Sequence, residues 1–274
     1  MSSLIHHTGF LPDRARDYSL LTRRWMRLVK KVPGLQLRFF AEAGGYPLML
    51  VESKKPVNKA PSFYISAGIH GDEPAPVEGL IQWAEDSLRR FSKDNMQIFP
   101  CLNPWGLERN VRCDEKGRDL NRCYNAHRVP QISAQMSAMK GRHYDIALTL
   151  HEDYDARGFY LYEVAGPRPH WGEELRNEIS VAMPPDSRRL IDGRNARKGL
   201  IRRGIKPTLL KQMAGHPEAF LLHLHHSRRT FTFETPSEDF LVQRVGIHRK
   251  FIQLALAKQS FTYIGSCPLQ APKN

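Results

Sequence analysis

The chain has 274 residues, 41% hydrophobic and 25% charged, with a formal net charge of +13 at pH 7. That length can bury a substantial core, and no Pro- or Ser-rich linker, internal repeat or low-complexity tract divides it, so residues 1–274 read as a single domain. No apolar run approaches the roughly 20 residues that span a bilayer, and the start MSSLIHHTGF lacks the basic and apolar regions of a secretory signal, which points to the cytoplasm.

From Tyr18 to Val32, apolar residues recur at helical spacing through Leu21, Trp25, Leu28 and Val29. LQLRFFAE and PLMLVES then read as two hairpin strands joined through Gly44 and Gly45. SFYISAGI, from Ser62 to Ile69, is β-prone and ends at His70; after HGDE, the series Val77, Leu80, Ile81, Ala84, Leu88 and Phe91 predicts a helix. MQIFPCL is the next strand. The stretch NPWGLERNVRCDEKGRDLNR follows, in which Pro104, Gly106 and Gly117 favour a surface loop over a helix. A helix over Ile132 to Met139, the strand DIALTL ending at His151 and the strand FYLYEV come next. The region from Met183 to Pro217 is rich in Gly, Pro and Arg, and reads either as an exposed basic connector with a short helix near Thr208 to Met213 or as a lid shaping a pocket. TFTF, from Thr230 to Phe233, ends at Glu234, and Ser237 is placed to cap a last helix with Leu241, Val245, Ile252 and Ala255 on its inner face. Alternating strands and helices predict an α/β fold with a mixed, mostly parallel central sheet flanked by helices.

His70, Glu73, His151 and Glu234 stand out because each follows a strand-like run. In open α/β sheets, ligands collect beyond the carboxyl ends of the strands, so three such ends suggest one shared site. A hydrolytic zinc takes three protein ligands from His, Asp or Glu and leaves a position for water, while a separate carboxylate manages protons. The set offers those groups for one zinc ion; Glu108, Asp119 and Glu152 are not expected among the primary ligands. The structural alternative for Glu234 is an ion pair with Arg228 or Arg229. Asn103, Arg112, Asn121 and Arg122 cluster in the loop between the two metal-ligand segments, where a guanidinium fork suits a carboxylate. Cys101, Cys113, Cys123 and Cys267 show no C-x-x-C spacing and read as thiols. Lys and Arg are dispersed, often as pairs such as Arg188-Arg189, without a long basic tract, so no nucleic-acid partner is expected.

HGDE, NPWG with an arginine nine positions after its asparagine, DLNR, a strand-end His and a late strand-end Glu together resemble the zinc carboxypeptidase superfamily, peptidase family M14. The resemblance runs from about Phe63 to Phe251 and is closest to the bacterial branch that borders the succinylglutamate desuccinylases and aspartoacylases. It implies that His70, Glu73 and His151 bind zinc, that Glu234 is the general base and acid, that Arg112 polarises the scissile carbonyl, and that Asn121 and Arg122 hold the substrate's terminal carboxylate. It further implies a zinc carboxypeptidase-like α/β/α sandwich and a metallocarboxypeptidase acting on short peptides; the alternative activity is that of an N-acyl amino acid deacylase. Peptide-cleaving relatives carry a tyrosine some twenty residues before the catalytic glutamate, and Ile205 to Thr230 contains none. Only a short, mostly helical tail follows Glu234, which favours the carboxypeptidase side. The basic surface suits acidic substrates, whereas Glu152, Asp153 and Asp155 offer a pocket to a basic one.

Overall fold

A computed structural model describes residues 14–125, 128–164, 166, 168–205 and 207–266. Helix α1 (Tyr18–Lys30) starts where the Asp17 carboxylate accepts from the Leu20 N–H at 2.7 Å, and it buries Tyr18, Leu21 and Trp25 on one stripe. Strands β1 (Leu35–Ala43) and β2 (Tyr46–Ser53) form the expected antiparallel hairpin. β3 (Ser62–Ser66), α2 (Pro74–Ser87) with a 3-10 extension at Leu88–Phe91, and β4 (Asn95–Phe99) make a right-ordered strand, helix, strand unit. Then come α3 (Pro104–Arg109), α4 (Pro130–Met139), β5 (Tyr144–Asp153), β6 (Tyr160–Val164) and α5 (Gly172–Ser180). A small ribbon of β7 (Leu190–Ile191) and β8 (Arg194–Asn195) precedes β9 (Leu200–Arg203), α6 (Pro207–Gln212) and α7 (Glu218–Leu221). A π-helical turn at Leu222–His226 leads into β10 (Ser227–Pro236), and α8 (Leu241–Ser266) follows.

Eight strands form one sheet in the order β1-β2-β4-β3-β5-β10-β6-β9. β4, β3, β5 and β10 are parallel neighbours, β2 and β6 flank them antiparallel, and β9 pairs parallel with β6. The mixed, mostly parallel sheet flanked by helices is therefore as expected. Apolar residues from α1, α2, α5 and α8 cover one face with side chains such as Trp25, Trp83 and Phe251. Phe233 stacks on Phe251 with ring centroids 4.2 Å apart, which seats β10 on α8. On the opposite face, Tyr64, Phe99 and Ala147 pack with Ile132 of α4 and with Leu222. No helix among the described residues is long and apolar enough to cross a membrane.

Three local expectations need correction. Residues 104–109 are helical rather than loop: the Asn103 side chain caps the Gly106 N–H at 3.0 Å, and Pro104 sits at the first helical position, where its missing N–H costs nothing. Asn110, at φ 53°, stops that helix after six residues. Ser237 does not cap α8; its N–H donates to the Asp153 carbonyl, and the Phe240 carbonyl takes the Gln243 and Arg244 N–H groups instead. Both β5 and β10 continue two residues beyond His151 and Glu234, because those residues pair with each other in register.

The 183–217 region is more than a connector. It supplies the edge strand β9 and lines the central cavity with Asp192, Arg203, Met213 and Pro217. The expected short helix is α6.

Candidate metal centre and substrate cavity

Alternation along the strands decides which side chains share a face. Thr149 and His151 of β5 lie beside Thr232 and Glu234 of β10, which in turn lie beside Tyr162 and Tyr160 of β6. These groups line one cavity of about 410 Å³ on the face opposite α8.

At its upper end the backbone leaves β3 through Gly68 and turns at Gly71. Gly68 holds φ +62°, a conformation open to glycine at little cost, and a Cβ there would meet Val77 and Cys101. Gly71 lies so close to α3 that a Cβ would stand 2.0 Å from the Gly106 carbonyl carbon. This turn delivers His70 and Glu73 to the point where β5 delivers His151. The three are buried, and one donor atom from each lies within 4.8 Å of the others. Glu73 sits between the rings: Oε1 is 2.6 Å from His70 Nδ1 and Oε2 is 3.0 Å from His151 Nδ1.

Two imidazoles and a carboxylate, converging and withdrawn from water, are a donor set that fits a catalytic zinc with three protein ligands. The orientation of His70 agrees, because its Nε2 bonds Asp119 Oδ1 at 3.1 Å and leaves Nδ1 facing the cluster. A carboxylate behind a ligating histidine fixes the tautomer and the ring plane. Burial disfavours the charged form of His70, but Glu73 and Asp119 outweigh it and push its pKa up to about 9. Glu73 responds oppositely; burial would raise its pKa, yet the two histidines hold it well below the carboxylate range.

Glu234 pairs in register with His151 and stands apart from the donor set. Burial holds its carboxyl well above the ordinary range, with nearby Glu73, Asp153 and Asp192 adding to the shift and His151 opposing it. Arg228 and Arg229 are engaged elsewhere: Arg228 lies 3.8 Å from Asp145, and Arg229 lies over the Trp171 ring at 4.1 Å. Arg112 reaches in from the rim, bonding Asp119 Oδ2 at 3.0 Å and lying 3.6 Å from Glu73. Asn121 accepts from the Glu218 N–H at 2.9 Å through Oδ1, which turns its amide nitrogen towards other partners. Arg122, exposed, lines the same cavity. Asn103 is the member of the loop cluster that serves structure; besides capping α3, its amide donates to the Arg112 and Cys113 carbonyls.

Sequence reasoning missed several participants. Asp119 joins His70 to Arg112, and its signal was its place in DLNR. Glu218 is buried beneath Asn121 and accepts from Ser66 at 2.7 Å, from Gln135 at 2.7 Å and from Tyr64. Tyr160 and Tyr162 wall the cavity, and their every-second spacing in FYLYEV was the signal for one shared face. Of Glu152, Asp153 and Asp155, the first two line the cavity, but each already has a cationic partner. Glu152 is buried and paired with Arg244, Asp153 is bonded by Tyr160 at 3.0 Å and Arg188 at 2.9 Å, and Asp155 is absent from the cavity lining. Cys101, Cys113 and Cys123 are free thiols, and Cys267 lies outside the described residues.

Comparison with known proteins finds the same fold and one matched segment. The fold matches a metallo-carboxypeptidase from Burkholderia cenocepacia with a TM-score of 0.64 at 16% identity, covering 92% of this chain and 70% of that one. A metallopeptidase candidate from Shewanella baltica matches with a TM-score of 0.78 at 23% identity, covering 89% and 93%. Residues 59–179 match the succinylglutamate desuccinylase/aspartoacylase catalytic domain family. Carboxypeptidase SOL1 of Arabidopsis thaliana is 28% identical over an alignment of 130 residues that covers 39% of this chain and only 26% of that protein's length. By fold the chain is similar to metallocarboxypeptidases, and by its matched segment it is similar to the desuccinylase/aspartoacylase catalytic domain.

Proposed function

We propose that the chain is a single-domain zinc hydrolase that cleaves the C-terminal amide bond of short peptides or peptide-like substrates. The observation that carries this reading is the buried His70, Glu73 and His151 donor set facing a separate carboxylate, Glu234, in one cavity. When bound by these three residues, zinc supplies Lewis acidity towards the scissile carbonyl and the attacking water. Glu234 takes the water's proton as the new C–O bond forms and delivers it to the amine nitrogen as the C–N bond breaks. Arg112 donates to the oxygen on which negative charge develops. Arg122 and the free amide of Asn121 hold the terminal carboxylate, so that the last bond of the substrate is the one presented.

The match of residues 59–179 to the desuccinylase/aspartoacylase family supports a second reading, in which the same anchors hold an amino acid carboxylate and the bond cleaved is to an N-acyl group. Metal analysis of the purified protein, followed by a panel of N-blocked dipeptides beside N-succinyl and N-acetyl amino acids, separates the two. Faster release from dipeptides upholds the carboxypeptidase reading, and faster release of the acyl group selects the deacylase. A zinc-loaded protein inert to both panels defeats the hydrolase assignment.

A further inference from the structure

The two proposed anchors are held from outside their own loop. Asn121 and Arg122 lie in the short turn Leu120–Arg122, whose backbone bonds run back to Asp119: the Asn121 N–H donates to Oδ1 at 2.9 Å and the Arg122 N–H to the carbonyl at 3.1 Å. Those bonds fix the turn but not the direction of the Asn121 side chain. That direction is set by residues 215–218, which lie against the turn. Gly215 approaches Arg122 so closely that a Cβ would stand 2.2 Å from its carbonyl oxygen. His216 forms a parallel bridge with Cys123 and accepts from the Tyr124 N–H at 3.2 Å. The Glu218 N–H then donates to Asn121 Oδ1 at 2.9 Å. A backbone N–H can only donate, so it selects the oxygen end of the Asn121 amide and leaves the NH2 end, a pure donor, for a ligand. The reverse rotamer would set a second oxygen against a carboxylate.

Glu218 is itself pinned to the core. Its side chain is buried, and Ser66 and Gln135 each donate to one of its oxygens at 2.7 Å, joined by the Tyr64 hydroxyl. Gln135 is shared: its amide nitrogen also reaches the Tyr64 hydroxyl at 2.6 Å, and its oxygen accepts from Tyr124 at 2.6 Å. These partners come from β3, from α4 and from the chain just after the anchors, and none of them carries a positive charge. A buried carboxylate without a cation is expensive, and apolar packing would fill the same space at less cost. A fully bonded polar network instead makes one position rigid. Here the rigid position is residue 218, whose N–H reaches Asn121 and whose neighbours Pro217, Ala219 and Phe220 line the cavity.

We propose that Glu218 is the positioning residue of the carboxylate anchor: its side chain, fastened to β3 and α4, holds its own N–H against Asn121, so that the amide nitrogen faces the substrate. This rests on the reading above in which Asn121 and Arg122 hold the terminal carboxylate. The orientation is thus set before the substrate arrives, which spares binding the cost of ordering the amide.

The test uses zinc-loaded protein and an N-blocked dipeptide offered as the free acid and as its C-terminal amide. Glu218→Ala should lower the acid-to-amide ratio of kcat/KM by about 10-fold, chiefly through KM for the acid, with kcat moving far less. Glu218→Gln, which keeps the shape and one acceptor, should recover part of the ratio. In an Asn121→Ala background, Glu218→Ala should bring no further fall, because it acts through Asn121. Equal losses on acid and amide, or losses at the two positions that multiply, overturn the inference and leave Glu218 a residue of the core alone. Should Glu218→Ala fail to fold, Ser66→Ala removes one donor from the same carboxylate and should move the ratio the same way by less; an unmoved ratio then overturns the inference. If the native protein cleaves acid and amide alike, or cleaves neither, the anchor reading or the hydrolase reading fails, and magnetic resonance decides the positioning. The side-chain NH2 signals of Asn121, assigned by their loss in Asn121→Asp, should lie away from those of a solvent-exposed amide and move towards them in Glu218→Ala or Ser66→Ala. Signals already at exposed values, or unmoved by either substitution, overturn it.

Discussion

Glu234 and His151 face each other across adjacent parallel strands, which sets a carboxylate beside the donor set without making it a fourth member. Glu234→Gln keeps the shape and removes the proposed base. Turnover should fall by roughly 10² to 10⁴, while bound zinc, measured by elemental analysis, stays stoichiometric; near-normal turnover would reject the role of Glu234. Arg122 offers a different test because its proposed target lies on the substrate. A charge-assisted hydrogen bond contributes about 1.5 to 3 kcal/mol, so Arg122→Ala should lower kcat/KM by at least ~10-fold. Amidating the substrate's C-terminus should reproduce most of that loss in the native enzyme. Equal cleavage of free-acid and amidated peptides would mean that the loop's cations serve another purpose.

At the scale of elements, the site depends on a turn pressed against a short helix. Because Gly71 meets α3 backbone to backbone, Gly71→Ala must push the His70 turn away from Gly106. Overpacking of this kind costs about 1 to 3 kcal/mol; zinc affinity, read by competition with a chromophoric chelator, should fall with stability, and unchanged affinity would show that the turn tolerates displacement. Glu52 of β2 ties two other elements together, accepting from Arg38 of β1 at 2.7 Å and from Arg142, beyond α4, at 2.6 Å. Burial would raise its pKa, but those arginines outweigh it and hold it below the ordinary 4.5. A carboxylate with a depressed folded pKa stabilises the fold above its unfolded value, and that stability is lost as pH falls through the folded one. Glu52→Gln should therefore cost about 1.5 to 3 kcal/mol at neutral pH, and the gap in urea midpoint between native and variant protein should close on acidification. A gap that persists unchanged below pH ~3 would assign the loss to packing instead of charge. These elements also show what a sequence can convey. Strand ends at His70, His151 and Glu234 were legible because β-prone runs and polar breaks are local. The helix at 104–109 was not, since Pro104 and Gly106 are punctuation in a loop but acceptable in the first turn of a helix once Asn103 caps it.

Across the whole molecule, the order β4-β3-β5-β10 aligns the carboxyl ends of parallel strands, so proposed ligands far apart in the chain meet at one edge. That convergence could be anticipated from strand-end residues, whereas Glu218 and Arg203 escaped notice. Their placement depends on strand register and on segments folding back over the sheet, and neither leaves a spacing in the chain. The same convergence would couple the proposed metal binding to global stability. His70 and Glu73 come from the turn after β3 and His151 from β5, so an ion held by all three bridges segments that separate on unfolding. A ligand that binds only the folded state at 100 times its dissociation constant adds about 2.7 kcal/mol. For a chain near this size each kcal/mol raises Tm by about 2 to 4 °C, so zinc-loaded protein should melt roughly 5 to 10 °C above the chelator-treated form. Re-addition of zinc should restore the higher Tm, and His151→Ala should melt at one temperature with or without it. A native protein whose Tm ignores both chelator and zinc, or a His151→Ala variant that retains the full shift, would show that these three side chains do not act together on one ion.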